Sequence, residues 1–237
     1  MSILSLIQGH CRRHALNVPT GVISSTDTTV IQLFQILQEL IDLIVQEANF
    51  NVTTRETTFV TVASEDQGAI ATLAPYGCVT PITKTFYDRT TRLQLYGPLN
   101  EQQWQEAKAI PATGPFFQFR IRGDHILFNP VPVSPFSTIA FEYISSWAYA
   151  NVGGTALAAP TLDTDTIVFP DRIIRQGLAF RWKRDKGLPY QGDETEFWNL
   201  LNNYIARDKV RGPINVASPE GAAITPGIFV PAGSWTP

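Results

Sequence analysis

Residues 24–50 read SSTDTTVIQLFQILQELIDLIVQEANF. From Val30 to Ala48 the run is apolar almost all round. Its polar members Gln32, Gln35, Glu39, Asp42 and Gln46 recur every three or four positions, so on a helix they form one narrow stripe. Ser25, Thr26 and Asp27 are all suitable N-cap residues before it. A helix with so thin a polar face is buried on most sides. In a monomer it would be the central helix. In an oligomer it would pack against a neighbouring subunit, with its acidic stripe turned to solvent or to a channel.

Upstream, SILSLIQGHCRRHAL (2–16) reads as a short amphipathic helix with Ile3, Leu6, Ile7 and Leu16 inward. Its opening apolar stretch is too short for a signal peptide, no uninterrupted apolar run reaches membrane-spanning length, and a cytoplasm-like compartment is expected. The chain has two cysteines, Cys11 and Cys78. His10 and His14 flank Cys11, but without a fourth ligand they make no metal site. The expectation is a buried or idle thiol beside two surface histidines.

Downstream, the texture from Thr53 to about Tyr149 is that of strands: Thr, Val, Phe and Tyr punctuated by Gly and Pro. TTFVTVA (57–63) and TRLQLYG (91–97) alternate. PFFQFRIRGDHILFNPVP (115–132) predicts a hairpin with Arg122, Gly123 and Asp124 at its turn and Phe117, Phe119 and Ile121 on one face. The turn accounts for the Arg-Gly-Asp triplet without cell adhesion. STIAFEYISSWAY (137–149) is a further strand. NEQQWQEAKA (100–109) is a small helix with Asn100 and Gln103 placed as a capping box.

NVGGTALAAPTLDTDT (151–166) reads as a loop. FPDRIIRQGLAFRWKRDKG follows as a helix, with Pro170 in its first turn and Gly187 at its end. Ile173, Ile174, Leu178 and Trp182 form its core-facing stripe, and its basic residues gather in the last turn, where cations suit the helix dipole. GDETEFWNLLNNYIARDK (192–209) is the next helix, with a capping box from Asp193 and Glu196 and an apolar face of Phe197, Trp198, Leu200, Leu201, Tyr204 and Ile205. The short turn makes the two helices antiparallel. The last segment is rich in Pro, Gly and Ala, yet it carries Ile214, Ile224, Ile228, Phe229, Val230 and Trp235, with Glu220 its one charge beyond Arg211. Such a segment suits an extended arm laid on another surface. At about 3.3 Å per residue it would span roughly 80 Å.

The fold class expected is therefore α+β. A helical core, made of the long central helix and a C-terminal antiparallel helix pair, carries an inserted antiparallel β-rich subdomain and an extended C-terminal arm. The divisions fall at 1–55, 56–150, 151–211 and 212–237.

Charged residues make up only 16% of the chain against 44% hydrophobic. The usual charged share is roughly 25%, which suggests a surface partly covered by other subunits. The net charge of -3 lacks the basic excess of a non-specific DNA binder, though a local basic patch stays open. No nucleophile elbow, phosphate-binding glycine loop or dinucleotide fingerprint is present, so the reading is not an enzyme and has no cofactor. Asp163, Asp165 and Asp171 are expected to stabilise the start of the following helix rather than to hold a cation.

LFNPVPVSPFSTIAFEYISSWAY (127–149), then an acidic loop, then FPDRIIRQGLAFRWKRDKGLPY (169–190), then a capped helix ending in ARD (206–208), resembles the adaptor, or head-to-tail connector, proteins of tailed bacteriophages, short-tailed ones especially. The likeness runs over roughly residues 25–211. It implies a virion structural protein at the neck, assembled in the host cytoplasm as a ring, typically a dodecamer. The ring lies between the portal protein and the tail nozzle or tube, with genomic DNA passing through without specific binding and no membrane involved. In this reading the arm, through Ile214, Ile224, Ile228, Phe229, Val230 and Trp235, reaches onto the portal. Arg181, Lys183 and Arg184 contact an acidic neighbour in the ring or on the portal, and Glu39 and Asp42 are candidates for facing the channel. Another tail or baseplate component, or a DNA-binding protein, remains an alternative.

Overall fold

The computed structural model describes residues 1–109 and 116–208. Along the chain come α1 (Ile3–Arg13), α2 (Thr28–Glu47), β1 (Thr54–Val60), β2 (Asp66–Ala69), α3 (Ile70–Leu73), β3 (Cys78–Pro81), β4 (Tyr87–Asp88) and β5 (Leu93–Gln94). Next come α4 (Glu101–Ala109), β6 (Gln118–Arg122), β7 (His125–Asn129), β8 (Thr138–Ser145), β9 (Tyr149–Ala150), β10 (Ala156–Leu157), β11 (Thr166–Ile167), α5 (Asp171–Asp185) and α6 (Gln191–Asp208). The fold is α+β with antiparallel sheets.

Burial divides the apolar residues into two main clusters. The first joins α1, α2, α5 and α6 with Ala148, Tyr149, Ile167 and Phe169. Asp27 caps α2, its carboxylate accepting the Thr29 N–H at 2.8 Å. Leu33, Leu37, Leu40 and Ile44 are fully buried, while Gln35, Glu39, Asp42 and Gln46 stay exposed, which is the thin stripe the spacing predicts. α2 is long and apolar enough to cross a membrane by length and composition; here its apolar side packs into the first cluster.

The central helix is α5 rather than α2, because α5 touches α1, α2 and α6 together. Ile173, Ile174, Leu178 and Trp182 are buried as expected, and so are Gln176, Gly177, Ala179, Phe180 and Arg181. Gly177 permits this crowding. A Cβ there would lie 2.6 Å from a Leu40 methyl and 2.9 Å from the Phe197 ring. At its C-terminus α5 closes in a Schellman motif: Leu188 N–H donates to Lys183 O at 2.9 Å and Gly187 N–H to Arg184 O at 3.1 Å, with Gly187 at φ +67. The turn sends α6 back antiparallel, so Lys183 meets Asp193 and Phe180 meets Phe197.

The capping box expected from Asp193 and Glu196 is not formed. α6 starts two residues earlier, at Gln191, and Glu194 N–H donates to Tyr190 O. Both carboxylates instead receive the buried Gln176 side-chain amide, Asp193 at 3.3 Å and Glu196 at 3.1 Å. On α6, Phe197 and Leu201 are buried, with Trp198, Tyr204 and Ile205 half-buried against the same cluster.

The second cluster lies between two sheets. One runs β1-β8-β4-β5, with β3 also on β8; the other runs β2-β7-β6. Phe59, Phe86 and Phe141 from the first face Phe119 and Phe128 from the second, and Phe86 stacks at 4.4 Å on Phe119 and 4.6 Å on Phe141. The hairpin turn is the two residues Gly123 and Asp124, at φ +58 and +65, between paired Arg122 and His125. Positive φ at both central positions is the type I′ geometry that matches strand twist. The capping box of α4 forms as read: Gln103 N–H donates to Asn100 Oδ1 at 2.9 Å, and Asn100 N–H to Gln103 Oε1 at 3.1 Å.

The segment 151–166 contains structure that the sequence reading missed, since β10 and β11 flank β9 in a small third sheet. Its carbonyls also serve α1: Ile3 N–H donates to Asp165 O at 3.0 Å and Leu4 N–H to Asp163 O at 3.2 Å. These are first-turn donors with no partner inside the helix.

Candidate functional site

Two surfaces carry described residues singled out by sequence, and a third is seen only in the structure. The first is the C-terminal end of α5. Arg181 is buried at 8% exposure, with Nη1 3.5 Å from Glu39 Oε2. Burial, then Arg184, pulls its guanidinium below the ordinary arginine value, and Glu39 opposes them. Lys183 Nζ donates to Asp193, and this hydrogen bond is the main reason the Asp193 carboxyl titrates below its ordinary value. Both cations thus have acidic partners within the chain. Arg184 is half exposed, with Asp185 3.7 Å away, and is the member of the trio most open to a second molecule.

The second surface is the α2 stripe. Glu39 and Asp42 are both exposed, Glu39 with 70% of its side chain accessible, and α2 has no Lys or Arg to balance them. Asp42 is close enough to Tyr149 to help burial raise that phenol.

The third surface is apolar and lies at one end of the β sandwich. Val60 ends β1 and Val62 follows it, and Val131, Val133 and Phe136 lie on the β7–β8 connection. Thr61 N–H donates to Ser137 O at 2.9 Å and Ser137 N–H to Thr61 Oγ1 at 3.0 Å, which ties the two segments together. Val133 is 76% and Val60 61% exposed. Exposed apolar groups gathered in this way mark contact surfaces. β1 is also the edge strand of its sheet.

Of the two histidines beside Cys11, His10 is not a surface group and His14 is half-buried. His10 is 6% exposed, and its ring lies 4.4 Å from His14 and 5.4 Å from Trp182; His14 lies 4.7 Å from Trp182. Burial, with His14 and Arg13 nearby, pulls the His10 pKa down to about 3. The spacing of four between the two histidines was the available signal, since it places them on one helix face. Cys11 is buried, and burial pushes the Cys78 thiol up to about 11.

The loop acids act differently from expectation. Asp163 Oδ1 accepts the Val22 and Ile23 N–H groups at 3.0 and 2.9 Å. Asp165 is buried and accepts the Thr161 and Leu162 N–H groups, both at 2.8 Å. They fasten loops, and neither caps α5. Asp171 does stand in the first turn of α5, 3.2 Å from the Met1 amino group. Among the described residues no three His, Cys, Asp or Glu side chains converge as a metal site.

Ile214, Ile224, Ile228, Phe229, Val230 and Trp235 lie outside the described residues. No protein-family model and no curated protein sequence matches the chain.

Proposed function

We propose that the chain is a non-enzymatic virion structural subunit, a head-to-tail adaptor. Its copies close into a ring, a dodecamer by resemblance, between the portal protein and the tail nozzle or tube of a tailed phage. In this reading α1, α2, α5 and α6 form the helical core, residues 56–150 are its β-rich insertion, and 212–237 is the arm that lies on the portal. Glu39 and Asp42 face the DNA conduit, where an acidic surface lets duplex slide without holding it. Arg184 meets an acidic neighbour, while Arg181 and Lys183 hold α5 to α2 and α6.

The observation that carries this reading is the apolar end of the sandwich formed by Val60, Val62, Val131, Val133 and Phe136. A chain with only 16% charged residues and such a surface is suited to being covered. A head-to-tail contact that buries it on each copy closes a ring when the rotation closes.

The test mixes portal rings with the full chain and with a chain ending at Arg211, read by mass and negative-stain imaging. Portal-bound rings of the full chain, lost on truncation, are expected. If neither chain binds portal, the adaptor reading fails.

A further inference from the structure

α1 and α5 enclose a groove of about 420 Å³ whose lining includes Leu6, Gly9, Leu178, Arg12, Arg13 and Arg175. Leu6 and Leu178 are buried and give it an apolar floor. Arg12, Arg13 and Arg175 are exposed around it. None of the three has a carboxylate within 4.0 Å among the described residues, and Arg175 touches the Met1 sulfur at 3.2 Å. Of the carboxylates at this end of the fold, Asp171 pairs with the Met1 amino group and Asp193 with Lys183, Asp193 also feeling Arg13 from beyond contact distance. Beside the arginines, the buried His10 ring also lines the groove, and its Nε2 has no hydrogen-bond partner among the described residues.

Gly9 is the second, independent observation. It stands inside α1, where glycine costs about 1 kcal/mol relative to alanine. No packing among the described residues accounts for it, because a Cβ at Gly9 would meet none of their atoms within 4 Å. What the missing side chain does is leave the groove open. Gly9, Arg12 and Arg13 share one helix face at spacings of three and four, so the same face supplies the space and two of the three charges.

We propose that this groove is a binding site for a phosphate-bearing ligand. Three guanidinium groups around one cavity suit a tetrahedral oxyanion, whose several oxygens accept paired N–H donors from more than one arginine at once. A lone carboxylate, with two oxygens in one plane, would leave charge uncompensated. The phosphate can come from a free ligand or from the backbone of duplex DNA. The site stands on its own geometry, independently of the ring reading.

The full-length chain is titrated in parallel with sodium pyrophosphate, by calorimetry, and with a short fluorescein-labelled DNA duplex, by anisotropy. Saturable pyrophosphate binding is expected. Gly9→Leu, which keeps every arginine and fills the groove, should weaken it at least tenfold with circular dichroism and melting retained. Arg12→Gln combined with Arg175→Gln should do the same, and Arg122→Gln on the β6–β7 hairpin should not. Duplex binding that these groove variants also abolish, with a log K against log salt slope of about −3 for three phosphate contacts, identifies backbone phosphate as the source. Pyrophosphate binding without duplex binding identifies a free ligand. Absence of pyrophosphate binding, or binding unchanged in both Gly9→Leu and the double arginine variant, overturns the proposal.

Discussion

Replacing Gly177 by alanine is expected to destabilise the protein, whereas the same change at Gly9 stabilises it. Both positions are helix interiors, so both gain about 0.5–1 kcal/mol from the intrinsic preference for alanine over glycine. At Gly9 nothing opposes that gain. At Gly177 the new Cβ would stand 2.6 and 2.7 Å from the two Leu40 methyls and 2.9 Å from Phe197 Cε2. Leu40 and Phe197 are both fully buried, so α2 and α6 press from two sides and neither can yield without moving a helix. Overpacking of this kind costs roughly 1–3 kcal/mol. The two variants should therefore differ by about 1–3 kcal/mol, which at roughly 2–4 °C per kcal/mol for a domain of this size separates their melting temperatures by several degrees. Calorimetry of the wild type and both variants at one pH and concentration measures it. A Gly177→Ala protein melting at or above Gly9→Ala would show that α2, α5 and α6 do not cross as closely as described.

Arg184→Glu should leave the unfolding free energy within about 1 kcal/mol of wild type, as expected of an exposed pair, while weakening ring or portal assembly. Arg181→Glu should instead cost about 3 kcal/mol or more, since it buries a carboxylate beside Glu39; denaturant unfolding separates the two cases. The His10 pKa of about 3 lies below the ordinary 6.5, so across that window the unfolded chain binds a proton the folded one refuses. Stability is therefore lost as the pH falls from about 6.5 toward 3, at up to about 1.4 kcal/mol per pH unit for this group. His14, also lowered by burial, acts in the same direction. His10→Leu should flatten the melting-temperature slope between pH 6.5 and 4.5, and an unchanged slope would contradict the buried placement. With Cys11 buried and Cys78 titrating near 11, a thiol reagent at pH 8 should label the folded protein slowly and the denatured protein at once, because the thiolate is the reacting form; equal rates would refute this.

Elements whose determinants are local were legible in the sequence. The α2 stripe, the Asn100–Gln103 box, the Gly123–Asp124 turn and the Gly187 stop each depend on residues within a few positions of one another. They are found where the spacing places them. Asp193 misled for an instructive reason. A carboxylate before an apolar run satisfies the capping pattern equally well one turn inside the helix, and here Lys183 and Gln176, ten and seventeen positions away in the chain, claim it. Asp163 and Asp165 misled similarly, since their N–H partners at Val22 and Ile23 lie on the far side of the β-rich insertion, and those at Thr161 and Leu162 close a turn rather than a helix.

The basic stretch of α5 shows why charge read along a sequence is a weak guide to contact. Arg181, Lys183 and Arg184 are neighbours in the chain, but a helix advances each by about 100°. One therefore points toward α2, one toward α6 and one toward solvent. The arginines that line one groove are Arg12 and Arg13 from α1 and Arg175 from most of a chain away, and they share it only because α1 lies on α5. Glycine carries the same lesson. Gly9 and Gly177 are equivalent in sequence terms, each a lone glycine in a helical period. Only packing tells that one is small because two helices touch it and the other has no neighbour to make room for. A glycine that no contact among the described residues requires, on the same face as two arginines with no carboxylate within 4.0 Å among them, has its simplest physical reason in the space it leaves.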